Sequence, residues 1–347
     1  MSAPKISVIV LNYNGVQWLQ KCFASLEKQT IFSDLEIIVT DNNSTDDSVK
    51  FTEAWLARSG AKGRVVQNGA NLYYCGANNN GAAAGTGEFF LFLNNDTWLE
   101  TDCLEQLYQR VQAAKADAAT PLVLNYDDNA FQNNGASGLD VFGMTTHQAP
   151  TASVTEVFAC CGCSLLVRAE MFRKIGGFAA ELLIYADETD ICWRVWIAGG
   201  KAVTVPQARL HHRGAAVANP AGGSKPVEQR TTDTKRFLAN RNGLLFIAKN
   251  ARNLLLVMLV SQLLLLLVEA VYSLLITRRW SHIRKSYLGA IAAAFKMLPH
   301  IREWRRKISG FRQHGDFWML RFLRLVPCRF VEAKNLLKLG TPKIDPK

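Results

Sequence analysis

Residues 6–15 read Ile-Ser-Val-Ile-Val-Leu-Asn-Tyr-Asn-Gly, a short run of β-branched apolar residues, Ile6–Leu11, that stops at a polar tip. The same design recurs twice. Leu35–Thr40 (LEIIVT) ends at Asp41-Asn42-Asn43-Ser44, and Glu88–Leu93 (EFFLFL) ends at Asn94-Asn95-Asp96-Thr97. A further run, Arg64–Gln67 (RVVQ), lies between them. Val16, Leu19, Phe23 and Leu26 share one face of a helix after the first run, and Ser44 followed by Asp47 predicts the N-cap of a second helix through Trp55. Strands alternating with helices imply an α/β fold, a mostly parallel sheet covered on both faces, with ligands bound outside the carboxyl ends of the strands. Asn, Asp and Gly are ordinary turn residues, yet three such tips on one sheet edge point to a binding site. The chain has no G-x-x-x-x-G-K-[ST] and no G-x-G-x-x-G after a strand. A bound nucleotide would need another way to neutralise its phosphates, and a divalent metal held by Asp96 is the economical candidate.

The chain has 347 residues, 49% of them hydrophobic, enough for a sizeable core and too many for a disordered chain. Eight cysteines are too few for a disulfide scaffold, and the apolar run near Met1 is too short for a signal peptide. A reducing, cytoplasmic setting is therefore expected. Cys160, Cys161 and Cys163 lie close together, but no second pair accompanies them, so packing is the simpler expectation than a metal site. The formal charge of +11 is unevenly placed. Residues 249–347 hold 19 Lys and Arg against 5 Asp and Glu, whereas residues 1–248 hold 21 against 24. A near-neutral front is joined to a basic, apolar rear of the kind that meets an anionic membrane surface. No nucleic-acid motif accompanies the basic residues, so no nucleic-acid partner is expected.

The segments ISVIVLNYNG, VTDNNSTDDS, NLYYCGANNNG (Asn71–Gly81), FLFLNNDT and YADETDICWR together resemble family 2 glycosyltransferases of the GT-A fold, nearest to the bacterial rhamnosyltransferase-like branch. The resemblance covers roughly residues 4–250, and the rear resembles the membrane-associated extension of that branch. It implies a GT-A domain over residues 1–245 and a helical membrane-associated region over 246–347. It further implies that Leu11, Asn12, Tyr13 and Asp41 hold the nucleotide base and ribose, with Asn71, Asn78, Asn94 and Asn95 completing the nucleotide-sugar site. Tyr73 stands where the family usually has Gly. Asn94-Asn95-Asp96 matches a degenerate D-x-D, so Asp96 is the implied ligand of Mg2+ or Mn2+. A second ligand is implied in ARLHHRGAA, where position favours His211 and leaves His212 as the fallback. Within Asp187-Glu188-Thr189-Asp190, Glu188 takes the place of the catalytic base, with Asp187 as the alternative. Gly162, Cys163, Asp190, Trp193 and Arg194 fall on the implied acceptor side, although Asp190 and Arg194, four apart, can also pair along a helix.

Leu254–Ile276 is 23 residues long, sufficient to reach across a bilayer core, whereas Tyr287–Leu298 is too short. Nucleotide-sugar donors are cytosolic, and the 17 Lys and Arg against 4 Asp and Glu in residues 278–347 favour the same side. A monotopic or dipping helix on the cytoplasmic face of the bacterial inner membrane is expected, with burial in a homo-oligomer as the alternative. The expected activity is inverting, metal-dependent transfer of a sugar from a dTDP- or UDP-linked donor to a lipid-linked saccharide acceptor. Transfer directly onto a lipid or lipid phosphate, and a non-catalytic nucleotide-sugar-binding subunit, are the alternatives.

Overall fold

The computed structural model describes residues 4–214, 230–325 and 343–345; the remainder of the basic rear lies outside the described residues. The chain begins with β1 (Ile6–Asn12), α1 (Val16–Glu27), β2 (Leu35–Asp41), α2 (Ser48–Ser59), β3 (Lys62–Gln67), α3 (Tyr73–Ala84) and β4 (Phe89–Asn94). There follow β5 (Thr97–Leu99), α4 (Cys103–Ala113), β6 (Ala118–Asn125), β7 (Phe131–Asn133), β8 (Ala136–Asp140), β9 (Thr145–His147) and β10 (Thr155–Glu156). Next come β11 (Ser164–Arg168), α5 (Ala169–Lys174), α6 (Asp187–Ile197) and β12 (Ala202–His212). The chain forms two compact units: Met1–Ala136, His147–Trp196 and Gly200–Gly214 make the first, and Ser137–Thr146, Ile197–Gly199 and Ala215–Lys347 the second.

The first unit is built on a mixed sheet in the order β10-β12-β6-β11-β4-β1-β2-β3. β3, β2, β1 and β4 run parallel, and β11 enters antiparallel between β4 and β6. β1, β2 and β4 are buried along nearly their whole length, which is why each reads as an unbroken apolar run rather than an alternating one. Edge strand β3 is mostly exposed and carries charge instead. α1 buries Leu19, Cys22, Phe23 and Leu26, and Phe23 stacks on Trp55 of α2 at 4.2 Å between ring centroids. β2 and β3 build away from β1 on one side while β4 lies on the other. The crevice where strand order reverses therefore opens past Asn12 and Asn94. Register completes the arrangement, since Asn12 pairs with Asp41 and Leu11 with Asn94.

One local expectation fails. α2 starts at Ser48 rather than just after Ser44. The Ser44 hydroxyl donates to Asp41 at 2.6 Å, and an Asp46 oxygen accepts the Ser48 N–H at 3.1 Å. The oxygen that a cap would need already accepts from Asn12 Nδ2 and from the Asn14 N–H, so Ser44 fixes the tip of β2 instead.

The second unit contains β13 (Arg230–Thr232), α7 (Asp233–Asn250), α8 (Val257–Thr277), α9 (Trp280–Ile283), α10 (Gly289–Lys296), α11 (Leu298–Phe311), α12 (Asp316–Met319), β14 (Leu323–Arg324) and β15 (Lys343–Asp345). α7 is its central helix, packed by α8, α10 and α11. α8 turns Met258, Gln262, Leu266 and Ala270 inward and leaves Val257, Val260, Leu264, Val268, Val271 and Leu275 exposed, a stripe at helical spacing. Among the described residues, Leu254–Thr277 is the one helical stretch whose length and composition suffice to cross a membrane.

Candidate functional site

At the crevice, three polar tips are tied together by side chains. Asn12 is buried and donates to Asp41 at 3.0 Å and to the Ser44 hydroxyl at 3.1 Å, while its own oxygen accepts from Asn95 at 2.7 Å. Both Asp41 oxygens are engaged by Asn12 and Ser44, so this carboxylate orders the tip as much as it offers an acceptor. A Cβ on Gly15 would meet Asn95 Nδ2 and Asn12 Oδ1 and push apart the hydrogen bond between them. Tyr13 stands 51% exposed at the mouth, an available ring face. Asn71 is exposed and accepts the Tyr73 N–H at 2.9 Å. Tyr73 has φ +56°, the left-handed conformation for which Gly is the usual residue. Asn78 of α3 is fully buried, with no partner for either amide atom among the described residues.

Beyond β4 the chain brings Asp96 to the end of β12. Asp96 Oδ1 lies 3.4 Å from His212 Nε2, and Asn94 Nδ2 lies 3.5 Å from the same nitrogen. Gln132 accepts from His212 Nδ1 at 2.8 Å, which leaves Nε2 to face Asp96. Burial pulls the His212 imidazole down, but the hydrogen bond and charge of Asp96 outweigh it and raise its pKa. A carboxylate and an oriented imidazole suit Mg2+ or Mn2+ that takes its other ligands from a diphosphate and water. His211, favoured by position, points elsewhere. It is buried, stacks on Trp98 at 3.5 Å and meets Glu100 at 3.2 Å through Nε2. Alternation along β12 turns the two histidines to opposite sides, His212 towards Asp96 and His211 towards Glu100 and Trp98.

The acidic segment opens α6. Leu183, Tyr185 and Ala186 immediately before it all have φ between +60° and +76°, strained backbone for residues with a Cβ. Asp187 is buried, and its carboxyl is pushed well up, first by burial and then by the charge of Glu188. Glu188 is half-buried and raised as well, chiefly by burial. Its carboxylate faces Gly162, where a Cβ would stand 3.6 Å from Oε2. Tyr74 closes this side by donating to the Gly162 carbonyl at 2.7 Å; burial and the charges of Asp187 and Glu188 push its hydroxyl far above the usual phenol range. Cys161 lies within electrostatic reach of both His212 and Glu188, with its Sγ 3.4 Å from that of Cys163. The Cys163 hydrogen bond lowers the Cys161 thiol, against the opposing effect of burial. Among the described residues no three metal-binding side chains gather, and Cys160 contacts Cys192 instead.

Three residues implied on the acceptor side are core residues. Arg194 is fully buried, pairs with Asp190 at 2.8 Å, and donates to the carbonyls of Ile175 and Gly177 at 2.7 and 2.6 Å. Trp193 is buried beside them. Sequence reasoning missed Gln132, Tyr74 and Cys161, none of which belongs to a polar strand tip.

A sheet with reversed order, a polar Asn-Asn-Asp tip beside a histidine and a helix opening on paired acids define a GT-A type of site. The model of glycosyl transferase family 2 matches residues 7–176, just under half of the chain. The chain is 32% identical over 124 residues to Glycosyltransferase GlyG of Streptococcus pneumoniae, a stretch covering 36% of this chain and 40% of that protein. It is also 32% identical over 140 residues to the GalNAc(5)-diNAcBac-PP-undecaprenol beta-1,3-glucosyltransferase of Campylobacter jejuni, covering 40% of this chain and 44% of that one. The chain thus spans under half the length of these curated relatives. In fold it is similar to GalNAc-T7 crystallised with UDP, GalNAc and Mn2+, with a TM-score of 0.58 at 17% identity over 73% of this chain and 49% of that one.

Proposed function

We propose that this protein is an inverting glycosyltransferase that moves a sugar from a dTDP- or UDP-linked donor to a lipid-linked glycan acceptor, in cell-surface polysaccharide synthesis. The carrying observation is the acid pair Asp187–Glu188, which opens on Gly162, while the next residue, Cys163, accepts the Asn94 N–H at 3.0 Å on the strand tip that also carries Asp96, 3.4 Å from His212. Burial raises both carboxyls, and the charge of Glu188 raises Asp187 as well, so the pair takes up a proton more readily than free carboxylates do; Glu188, the less buried of the two, is the base. Glu188 accepts the proton of the acceptor hydroxyl as its oxygen bonds to the anomeric carbon. The nucleoside diphosphate leaves from the opposite face, which inverts the configuration. Asn12, Tyr13 and Asp41 hold the base and ribose, and Asn94 and Asn95 line the path to the diphosphate. Asp96 and His212 would hold Mg2+ or Mn2+; when bound, the metal offsets charge that develops on the leaving diphosphate. GalNAc-T7, crystallised with UDP and Mn2+, supports a metal in this type of site, and the name of the Campylobacter relative supports a polyprenyl-diphosphate acceptor. Rhamnose is the sugar suggested by the branch that the sequence resembles. Catalysis resides in the first unit and membrane attachment in the second. The exposed stripe of α8 supports a monotopic or dipping seat on the cytoplasmic face.

The test is nucleotide release from a panel of dTDP- and UDP-sugars in lipid or detergent, with Mg2+, Mn2+ or chelator and a polyprenyl-linked saccharide pool. Glu188→Gln should lower turnover by about 10²–10⁴-fold, the usual contribution of a positioned base, while donor affinity stays within about threefold. Full turnover in both Glu188→Gln and Asp187→Asn would overturn the assignment.

A further inference from the structure

The second unit contains a cavity of about 400 Å3 lined by Lys249, Arg252, Arg305, Arg306, Ser309 and Arg312. Five of its six lining residues are cations and none is an acid. The nearby carboxylate of Asp316 is committed to backbone: it accepts the N–H groups of Arg252, Asn253 and Leu255 at 2.8–3.1 Å. Two of the cations are anchored by the end of α7. Arg305 Nη1 donates to the carbonyls of Ala248 and Ala251 at 2.8 and 2.6 Å, and Arg312 Nη2 donates to that of Asn250 at 2.6 Å. Lys249 is held over the Trp304 ring at 4.2 Å from its centroid.

Capping the carbonyl end of a helix calls for one or two cations, and Arg305 and Arg312 fill that role. Lys249, Arg252 and Arg306 exceed it. Burial depresses the pKa of Arg312, and the charges of Arg252 and Arg305 depress it further against the pull of Asp316. The folded chain therefore maintains crowded like charges around an open space, an arrangement that an anion relieves. The location narrows the choice of anion. Arg252 lies five residues before the start of α8, whose exposed apolar stripe begins at Val257. A cationic cavity at the foot of a membrane-seeking helix lies at headgroup depth. Five cations exceed the single charge of a common anionic phospholipid and suit a group carrying several.

We infer that this cavity binds the diphosphate of a polyprenyl-type lipid carrier, with its hydrocarbon tail along the α8 stripe. The identity of the lipid rests on the transferase reading above; the anion site does not.

The experiment uses the full chain and three vesicle types: phosphatidylcholine alone, phosphatidylcholine with phosphatidylglycerol, and phosphatidylcholine with undecaprenyl diphosphate at equal molar fraction. The expected result is at least tenfold tighter binding to the diphosphate vesicles than to the phosphatidylglycerol ones, reversed by millimolar inorganic pyrophosphate. The double variant Arg252→Gln/Arg306→Gln spares the two capping arginines and should lose that preference. Ser309→Glu, which places a negative charge in the cavity without removing a cation, should lose it too. Equal binding to the two anionic vesicles, or a preference that survives in both variants, would overturn the inference. UDP binding with Mn2+, measured on the same samples, keeps the two proposals separate: its absence counts against the transferase reading, whatever the vesicles show.

Discussion

Helix α6 carries two acidic arrangements three residues apart, and they are built on opposite principles. Asp190 is fully buried and fully answered by Arg194, whose remaining N–H groups are used on the Ile175 and Gly177 carbonyls. Asp187 is almost as deeply buried, yet the charge that acts on it most strongly is another carboxylate, and both pKa values rise. A buried charge with its geometry satisfied holds a loop in place. A buried charge left beside its like holds a proton more readily than an ordinary carboxylate does. The sequence Asp-Glu-Thr-Asp presents these acids as one cluster; the fold separates them into structure and chemistry.

Substitutions can break that comparison, and the largest effect falls on the satisfied side. Arg194→Leu leaves Asp190 as an unpaired buried charge and should remove about 3–5 kcal/mol of stability, measured by urea denaturation. A loss below about 1 kcal/mol would mean that Arg194 is not a structural pin. Next come the two histidines. His212→Ala should weaken Mn2+-dependent UDP binding by about 10–100-fold, whereas His211→Ala should leave it nearly intact and lower thermal stability through the lost Trp98 stack. The reverse pattern would return the ligand role to His211. The smallest effect lies on the unsatisfied side. Because burial and the charge of Glu188 raise the folded pKa of Asp187, stability is lost as pH rises from the ordinary Asp pKa of about 3.9 towards the raised folded value, and the penalty vanishes below about 3.9. Asp187→Asn should therefore be more stable than the parent by about 1 kcal/mol at pH 8, the two converging near pH 4. A thermal-melt series against pH reads this directly, and a variant less stable at pH 8 would refute it.

Much of the site was legible because strand and tip are local features. β1, β2 and β4 lie within a residue of where their apolar runs place them, and the tips Asn12, Asp41 and Asn94 come together because parallel strands share a carboxyl edge. What was not legible depends on long-range contacts. The choice between His211 and His212 depends on the β12 register against β5 and β6 and on Gln132, 80 positions away in sequence. Ser44 reads as a cap until Asn12 and Asn14 occupy its hydroxyl oxygen. Asp190 and Arg194 show helical pairing in sequence, but only the fold reveals that both are sealed from solvent.

Leu183, Tyr185 and Ala186 bear on how such a chain can change over generations. Each occupies positive-φ backbone that Gly would adopt with less strain, so glycine at these three codons should raise stability while loosening the segment that leads into the acid pair. Selection for heat tolerance and selection for turnover therefore pull against each other here. A lineage retaining bulky residues at these positions keeps a stiff approach to Glu188 at the expense of thermal margin.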